Sequence, residues 1–163
     1  MNKIILDVCC GPKMFYFNKK NPNVLFQDIR VEQKGYIPIR PSCEVAPDVV
    51  MDFRLMSHSD KSFKMIIFDP PHLLRGGKNG WQAQKYGLLN KETWREDLTK
   101  GFNECWRVLD DYGTLVFKWN EESITIKEVL SLFPIQPILG HPTARSGKTK
   151  WCIFIKIPGE NNE

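Results

Sequence analysis

Apolar residues along the chain fall into short runs separated by polar and proline-rich segments, a pattern typical of buried strands. The runs predict strands at residues 3–8, 24–28, 49–51, 64–69 and 114–119. Runs without polar alternation are typical of a parallel sheet covered on both faces. A short helix is predicted from the turn at 9–12 to about residue 19. An irregular crossover is predicted for 30–47, which contains three prolines.

The clearest predicted helix covers residues 94–109, where one apolar stripe recurs at helical spacing. The stripe comprises Trp94, Leu98, Phe102, Cys105, Trp106 and Leu109. Thr93 and Glu96 predict a capping box at its start, and residues 110–113 predict a stop. We expect the stripe to be core packing.

A second helix is predicted at 124–132, followed by strands at 135–139 and 151–157. No helix separates these two strands, so they are expected to pair as an antiparallel hairpin. Strands alternating with helices predict one α/β domain, residues 1–163, with a Rossmann-like, mostly parallel sheet and a C-terminal antiparallel hairpin. Ligands bind such sheets at the carboxyl edge, where strand order reverses. That reversal is expected between the first and fourth strands, which end at Asp7 and Asp69.

Composition narrows the class of protein. The 163 residues are 42% hydrophobic and 26% charged, typical of a globular domain. No apolar run approaches the roughly 18 residues of a membrane span, and the opening MNKIILDV is too short and acidic for a signal peptide. These features predict a soluble, cytoplasmic protein. The five cysteines have no CxxC spacing, which predicts reduced thiols and no metal site.

The net charge of +4 is concentrated in two tracts without acidic residues, 72–91 and 133–158. They predict a polyanionic partner, although solvated basic loops would look the same. We expect 72–91 to be a mobile substrate loop and 140–150 a basic hairpin loop. Lys118 and Asn120 follow the fifth strand and are expected to reach the same edge of the sheet. The candidate substrate-binding residues are Arg75, Lys78, Trp81, Lys118, Asn120, Arg145 and Lys148.

The stretch LDVCCGP, residues 6–12, places a carboxylate at a strand end before small residues, so the backbone can approach a ligand. It resembles motif I, D/E-x-G-x-G, of the class I S-adenosylmethionine (SAM)-dependent methyltransferases, with Cys9 in place of the first glycine. The resemblance implies SAM as cofactor, S-adenosylhomocysteine as product, and Asp7, Cys9, Cys10 and Gly11 as binding residues. An ordinary strand-to-helix turn is the alternative.

Two later acidic positions suit the same cofactor. Asp28 ends the second strand, where a carboxylate can accept both ribose hydroxyls of a nucleoside; an exposed turn residue is the alternative. The segment 49–53 resembles the next cofactor segment of these enzymes, in which Asp52 would bond the adenine amine and Phe53 would pack on its face.

The fourth strand ends on Asp69-Pro70-Pro71-His72. This resembles the [D/N]-P-P-[Y/F/W/H] motif of amino-methyltransferases, which methylate exocyclic amines of nucleobases or, in one branch, a glutamine amide. A carboxylate and the Pro70 carbonyl can accept both amine N–H groups and direct the lone pair at the methyl carbon. Pro71 stiffens the turn and has no competing N–H. His72 is expected to stack on the base, with a proton acceptor or a turn residue as alternatives.

Most of the chain resembles a small phage- and prophage-associated methyltransferase family, over segments 6–30, 68–73, 113–121 and 140–156. We therefore predict a SAM-dependent N-methyltransferase acting on adenine N6 in DNA. No segment is long enough for a target-recognition domain. We therefore expect either low sequence specificity or a protein partner or homodimer that supplies the specificity. The alternatives are an RNA base N-methyltransferase, an inactive nucleic-acid-binding relative and, ranked last because it lacks GxGxxG, a NAD-dependent enzyme.

Overall fold

The computed structural model describes residues 3–77, 80–140 and 147–159. The strands are β1 (Ile5–Asp7), β2 (Val24–Asp28), β3 (Val49–Val50), β4 (Phe63–Phe68), β5 (Leu109–Asn120), β6 (Leu139–Gly140) and β7 (Thr149–Ile155). The helices are α1 (Trp81–Tyr86), α2 (Trp94–Val108) and α3 (Ile126–Leu130).

The described strands form one seven-stranded sheet in the order β3-β2-β1-β4-β5-β7-β6. Strands β1 to β5 pair in parallel, whereas β7 runs antiparallel to both β5 and β6. The predicted α/β sheet with a C-terminal antiparallel hairpin is confirmed. Because β1 lies between β2 and β4, the strand order reverses beside β1 as expected, and Asp7 pairs in register with Ile67, two residues before Asp69.

The main core lies between the sheet and α2, and it contains the predicted stripe. Trp94, Leu98, Phe102 and Cys105 are all buried. The ring of Phe102 stacks on Phe133 at a centroid distance of 4.1 Å. Burial of side chains of this size is the main favourable term in folding, worth roughly 1.5–3 kcal/mol each. The stripe is therefore core packing, as predicted.

The prediction of a short helix up to about residue 19 is wrong, because the segment after Gly11 forms successive turns. Gly11 and Lys13 have φ angles of +45° and +56°, in the left-handed region that a right-handed helix excludes. The backbone bonds there span three residues, as from Lys13 N–H to the Cys10 carbonyl and from Tyr16 N–H to the Lys13 carbonyl.

The capping box predicted at the start of α2 is wrong, because the Thr93 side chain makes no capping bond to the backbone and donates instead to Asp97. The helix ends at Val108, just before the stop predicted at residues 110–113. These residues do not form a loop but a bulge inside β5, where the register with β4 shifts. A bond to the residue after β7 stabilises the bulge, because Tyr112 N–H donates to the Lys156 carbonyl at 2.7 Å.

Other elements differ in extent. The helix predicted at 124–132 is α3, residues Ile126–Leu130, and the strand predicted at 151–157 is β7. Of the strand predicted at 135–139, only Leu139 lies in a strand, β6. Helix α1 lies within 72–91, where only a loop was predicted. All five cysteines are free thiols. Within the described ranges no helix has the length and apolar character needed to cross a bilayer.

Candidate active site

A cavity of about 490 Å³ opens at the carboxyl edge of the sheet, beside β1 and β4. This volume lies in the range of roughly 300–1,000 Å³ typical of small-molecule sites. It brings together predicted residues from five separate segments of the chain. Those that line it are Cys9, Cys10, Gly11, Asp28, Phe53, Asp69, Pro70, Pro71, His72 and Lys118.

The turn after β1 is fixed by a bond to the end of β2. The left-handed φ of Gly11 is a conformation that side-chain-bearing residues rarely adopt. It lets Gly11 N–H donate to the Asp28 carboxylate at 2.9 Å. Burial raises the pKa of the Cys9 thiol well above its usual value, so this residue lines the cavity as a neutral group.

Asp28 is buried at 4% exposure, so the alternative of a solvent-exposed turn residue is wrong. Its carboxylate accepts from Gly11 N–H and from two donors of Arg30, the backbone N–H at 3.0 Å and Nε at 3.2 Å. A carboxylate has about four acceptor positions. With three of them filled, Asp28 has one acceptor position left for a ligand while Arg30 stays in place.

The two predicted cofactor residues in the segment after β3, Asp52 and Phe53, differ in their position relative to the cavity. The Phe53 ring lines the cavity, whereas Asp52 lies outside the lining. Asp52 accepts bonds from the Arg54 guanidinium, which lower the pKa of the carboxyl. Phe53 is seated against α2 at Gly101, where a Cβ would lie only 2.4 Å from the ring.

Asp7 ends β1 directly beneath the turn and is 1% exposed. Within the described part of the chain, no hydrogen bond of ordinary geometry reaches either of its carboxylate oxygens or the Tyr16 hydroxyl, although that hydroxyl lies close enough to Asp7 to interact with it. Burial raises the pKa of Asp7 to about 7, with the Tyr16 hydroxyl opposing the rise. A buried carboxyl without a partner is costly when ionised, so Asp7 takes up a proton near neutral pH.

Asp69 follows β4 and has a partner. The Lys118 ammonium on β5 lies 3.0 and 3.2 Å from its two carboxylate oxygens. Burial raises the pKa of Asp69, and the charge of Lys118 opposes the rise. Lys118 also lies over the ring of Phe15, 4.8 Å from the centroid. The pair keeps a charged acceptor at the edge of the cavity.

His72 is buried under α1, with its ring centroid 5.3 Å from that of Tyr86 and 6.3 Å from that of Trp119. Burial lowers the pKa of His72 to about 4, and the charge of Lys118 adds to this effect. The imidazole is therefore neutral at pH 7. Its flat, uncharged ring suits contact with another ring better than proton uptake.

A smaller recess of about 160 Å³ adjoins the main cavity at His72. Trp81 and Asn120, both predicted substrate residues, line it. Among the described residues, four line both the recess and the main cavity, namely His72, Tyr86, Lys118 and Thr149. The end of the turn thus borders two adjoining spaces, one cofactor-sized and one sized for a single ring system, while Asp69 lines only the larger one.

Of the remaining predicted substrate residues, the two that the structure describes do not line these spaces. Arg75 is exposed and lines neither of them, and Lys148 is exposed and paired with Glu122. Lys78 and Arg145 lie outside the described residues. No cluster of three or more metal-ligating side chains occurs among the residues that the structure describes.

Sequence reasoning missed the part of the site built by α1. Lys85, Tyr86 and Gly87 all line the main cavity. Arg30 donates to the Gln84 carbonyl at 3.0 Å, which ties the helix to the end of β2. A Cβ at Gly87 would lie 3.3 Å from Pro71, so the helix end also packs on the turn. The signal was present, because WQAQKY places good helix formers between two glycines.

Comparison with solved structures identifies the fold. A TehB-like SAM-dependent methyltransferase from Corynebacterium glutamicum matches with a TM-score of 0.60 and 16% identity, over 95% of this chain and 80% of that one. A SAM-dependent methyltransferase from Methanosarcina mazei matches with a TM-score of 0.58 and 13% identity, over 94% and 92%.

A protein from Pyrococcus horikoshii matches with a TM-score of 0.57 and 15% identity, over 93% of this chain and 81% of that one. No family model matches the sequence, and no curated protein matches it. At these identities the likeness concerns the fold. The cavity lies at the carboxyl edge of the sheet, where sheets of this kind bind their ligands. The chain therefore has the Rossmann-like fold of the class I SAM-dependent methyltransferases.

Proposed function

We propose that this protein is a SAM-dependent N-methyltransferase that acts on the exocyclic amine of a nucleobase, adenine N6 in DNA. The observation that carries the proposal is the position of the Asp69–His72 turn. It places the Asp69 carboxylate in the lining of a cofactor-sized cavity, and it places the His72 ring in the lining of both that cavity and an adjoining ring-sized recess.

The cavity fits the cofactor in shape and in donor set. Apolar side chains of Ile29, Met51 and Phe53 line it and would hold the adenine. The free acceptor position on Asp28 would take one ribose hydroxyl, and a second would require Arg30 to move. Asp7, predicted to bind the cofactor, lies outside the lining of the cavity, buried beneath the turn. When bound, SAM supplies an electrophilic methyl carbon on a sulfonium.

The turn then orients the amine. An exocyclic amine on an aromatic ring is a poor nucleophile, since its lone pair is conjugated with the ring. The Asp69 carboxylate and the Pro70 carbonyl can accept its two N–H bonds, which points the lone pair away from the turn and stabilises the positive charge that develops on nitrogen. To make this contact the amine must share or replace the bond from Lys118.

The recess favours a nucleobase as acceptor. Its lining includes the rings of His72, Trp81 and Tyr86, and stacking of a base on an aromatic side chain is worth roughly 1–3 kcal/mol. That offsets a base-flipping cost on the order of a few kcal/mol. A neutral His72 adds no charge to be desolvated when the ring is covered.

The test is transfer of a labelled methyl group from SAM to duplex DNA, single-stranded DNA and total RNA, each then digested to nucleosides. We expect label in N6-methyldeoxyadenosine. Asp69→Ala, which removes the side-chain acceptor for the amine, should reduce transfer by at least about a hundredfold. The matched control is Asp60→Ala, at an exposed carboxylate paired with Arg107, which should keep the rate.

Label in methylated adenosine or guanosine of RNA would instead favour the RNA base methyltransferase. Retained nucleic-acid binding without any SAM binding would favour an inactive relative. If SAM binds and none of the three polymers accepts a methyl group, the nucleobase proposal fails.

A further inference from the structure

We propose that a basic cleft next to the cofactor cavity binds the phosphates of a single-stranded segment of the nucleic-acid substrate. The proposal rests on the function proposed above. The cleft has a volume of about 640 Å³ and lies outside the two predicted basic tracts, except at its border with α1. Its basic residues are Lys13, Lys19, Lys20, Arg40 and Lys85, and Glu44 is the one acid among the described residues that line it.

The cations of the cleft are not neutralised by the protein. Within residues 3–77, 80–140 and 147–159, none of these five side chains forms an ion pair. Lys13 and Arg40 lie over aromatic rings, and Lys19 donates to the Pro12 carbonyl at 3.1 Å. Elsewhere, exposed lysines such as Lys64 and Lys100 are paired with carboxylates. A concentration of unpaired positive charge in a concave surface attracts a polyanion.

The cleft is joined to the proposed acceptor recess by α1. Lys85 lines both the cleft and the cofactor cavity. The Arg40 guanidinium lies 4.9 Å from the ring centre of Trp81, which lines the recess. A strand whose target base occupies the recess would therefore reach the cleft by crossing the short helix, with the Arg40 guanidinium next to its path. Lys85 is buried at 5% exposure and adds positive charge beneath that path.

An exposed ring in the same loop favours a single strand over a duplex. Phe17 lies between Lys13 and Lys19, and its side chain is as exposed as in an open chain, at 112%. Such a ring, flanked by lysines, is a stacking surface for an unpaired base, whose face is covered in a duplex. The loop thus offers both a contact for phosphate and a contact for base.

The experiment measures binding of a fluorescent single-stranded oligonucleotide to the full chain, with S-adenosylhomocysteine present, over a range of salt concentrations. The variant is Lys19→Gln/Lys20→Gln/Arg40→Gln; Lys13 is left in place because of its positive φ. The control is Lys64→Gln/Lys100→Gln/Lys127→Gln, which removes the same charge from other surfaces. Each single-strand phosphate contact contributes about 0.7 to the salt slope, so we expect the variant to lower the slope by about two.

The variant should also bind at least about tenfold more weakly at low salt, while the control stays within about twofold of the wild type. Equal behaviour of variant and control would overturn the proposal. At Phe17, Phe17→Leu should weaken binding at every salt concentration and Phe17→Tyr should not, because only Tyr keeps a ring. Equal losses in the two would overturn the stacking contact.

Cofactor affinity, measured by calorimetry with S-adenosylhomocysteine, should be unchanged in the triple variant, because none of its three positions lines the cofactor cavity. The two proposals fail separately. If the wild type methylates a base but the triple variant binds oligonucleotide like the control, only the cleft is wrong. If the cleft binds oligonucleotide but no base is methylated, only the proposed function is wrong.

Discussion

Asp7 and Asp69 end neighbouring parallel strands at the same edge of the sheet, yet their surroundings differ. Burial raises the pKa of both carboxyls. Asp69 has the Lys118 ammonium 3.0 Å away. Asp7 has no hydrogen-bond partner among the described residues, and its pKa reaches about 7.

The difference shows that position in the fold does not by itself give a carboxylate its role. At the same strand-end location the ionised form of a carboxyl is stabilised or not, depending on whether the next strand supplies a cation. β5 supplies Lys118 to Asp69. The segment after β1 supplies Asp7 only with neutral groups, among them the Tyr16 hydroxyl, so no cation there offsets the cost of burying its charge.

The largest expected effect is on stability, with Asp7→Asn. The ordinary pKa of this carboxyl is 3.8 and its pKa in the fold is about 7. Between these two pH values the folded chain therefore holds a proton that the unfolded chain has lost. The contribution of Asp7 to the free energy of unfolding is fully present below about pH 4 and is lost as the pH rises through 7. The loss is on the order of 4 kcal/mol.

Urea unfolding of the wild type and of Asp7→Asn from about pH 4 to pH 8 checks this. The free energy of unfolding of the wild type should fall relative to that of the variant as the pH rises. Parallel pH curves would show that Asp7 ionises near its ordinary pKa.

A smaller effect is expected from Lys118→Met, which makes the surroundings of Asp69 more like those of Asp7. Without the ammonium, burial acts alone and the pKa of Asp69 should rise. The acidic limb of the pH–rate profile should move to higher pH, and transfer at neutral pH should fall by about tenfold or more.

Lys118→Arg is the matched control, because it keeps the charge and should keep the position of the limb. A carbon-13 titration of the Asp69 carboxyl reports the same shift without any acceptor. An unmoved titration in Lys118→Met would show that the ion pair does not control Asp69.

The sheet could be predicted because each strand carries its own apolar run. The turns could not, since distant residues determine them. The left-handed Gly11, found where a helix was predicted, is held by Asp28, and the bulge that follows the end of α2 is held by Lys156. Local sequence does not show such long-range bonds.

The site follows the same division. Strand-end residues such as Asp69 and Lys118 could be assigned to one edge, because parallel strands end together. The contact of His72 with Tyr86 depends on how α1 folds back, and the filled acceptor positions of Asp28 depend on Arg30. Sequence spacing predicted where the carboxylates lie but not which partners they have.

The smallest expected effect concerns Tyr16, whose buried hydroxyl opposes the pKa rise of Asp7. Tyr16→Phe removes that hydroxyl and keeps the ring, which packs on Phe26 at a centroid distance of 4.8 Å. The ionised form of Asp7 should then be less favourable, so the free energy of unfolding should fall by under about 1 kcal/mol at pH 8 and change less at pH 5. Urea unfolding at these two pH values measures it. An equal change at both would mean that the hydroxyl contributes to packing and not to the charge of Asp7.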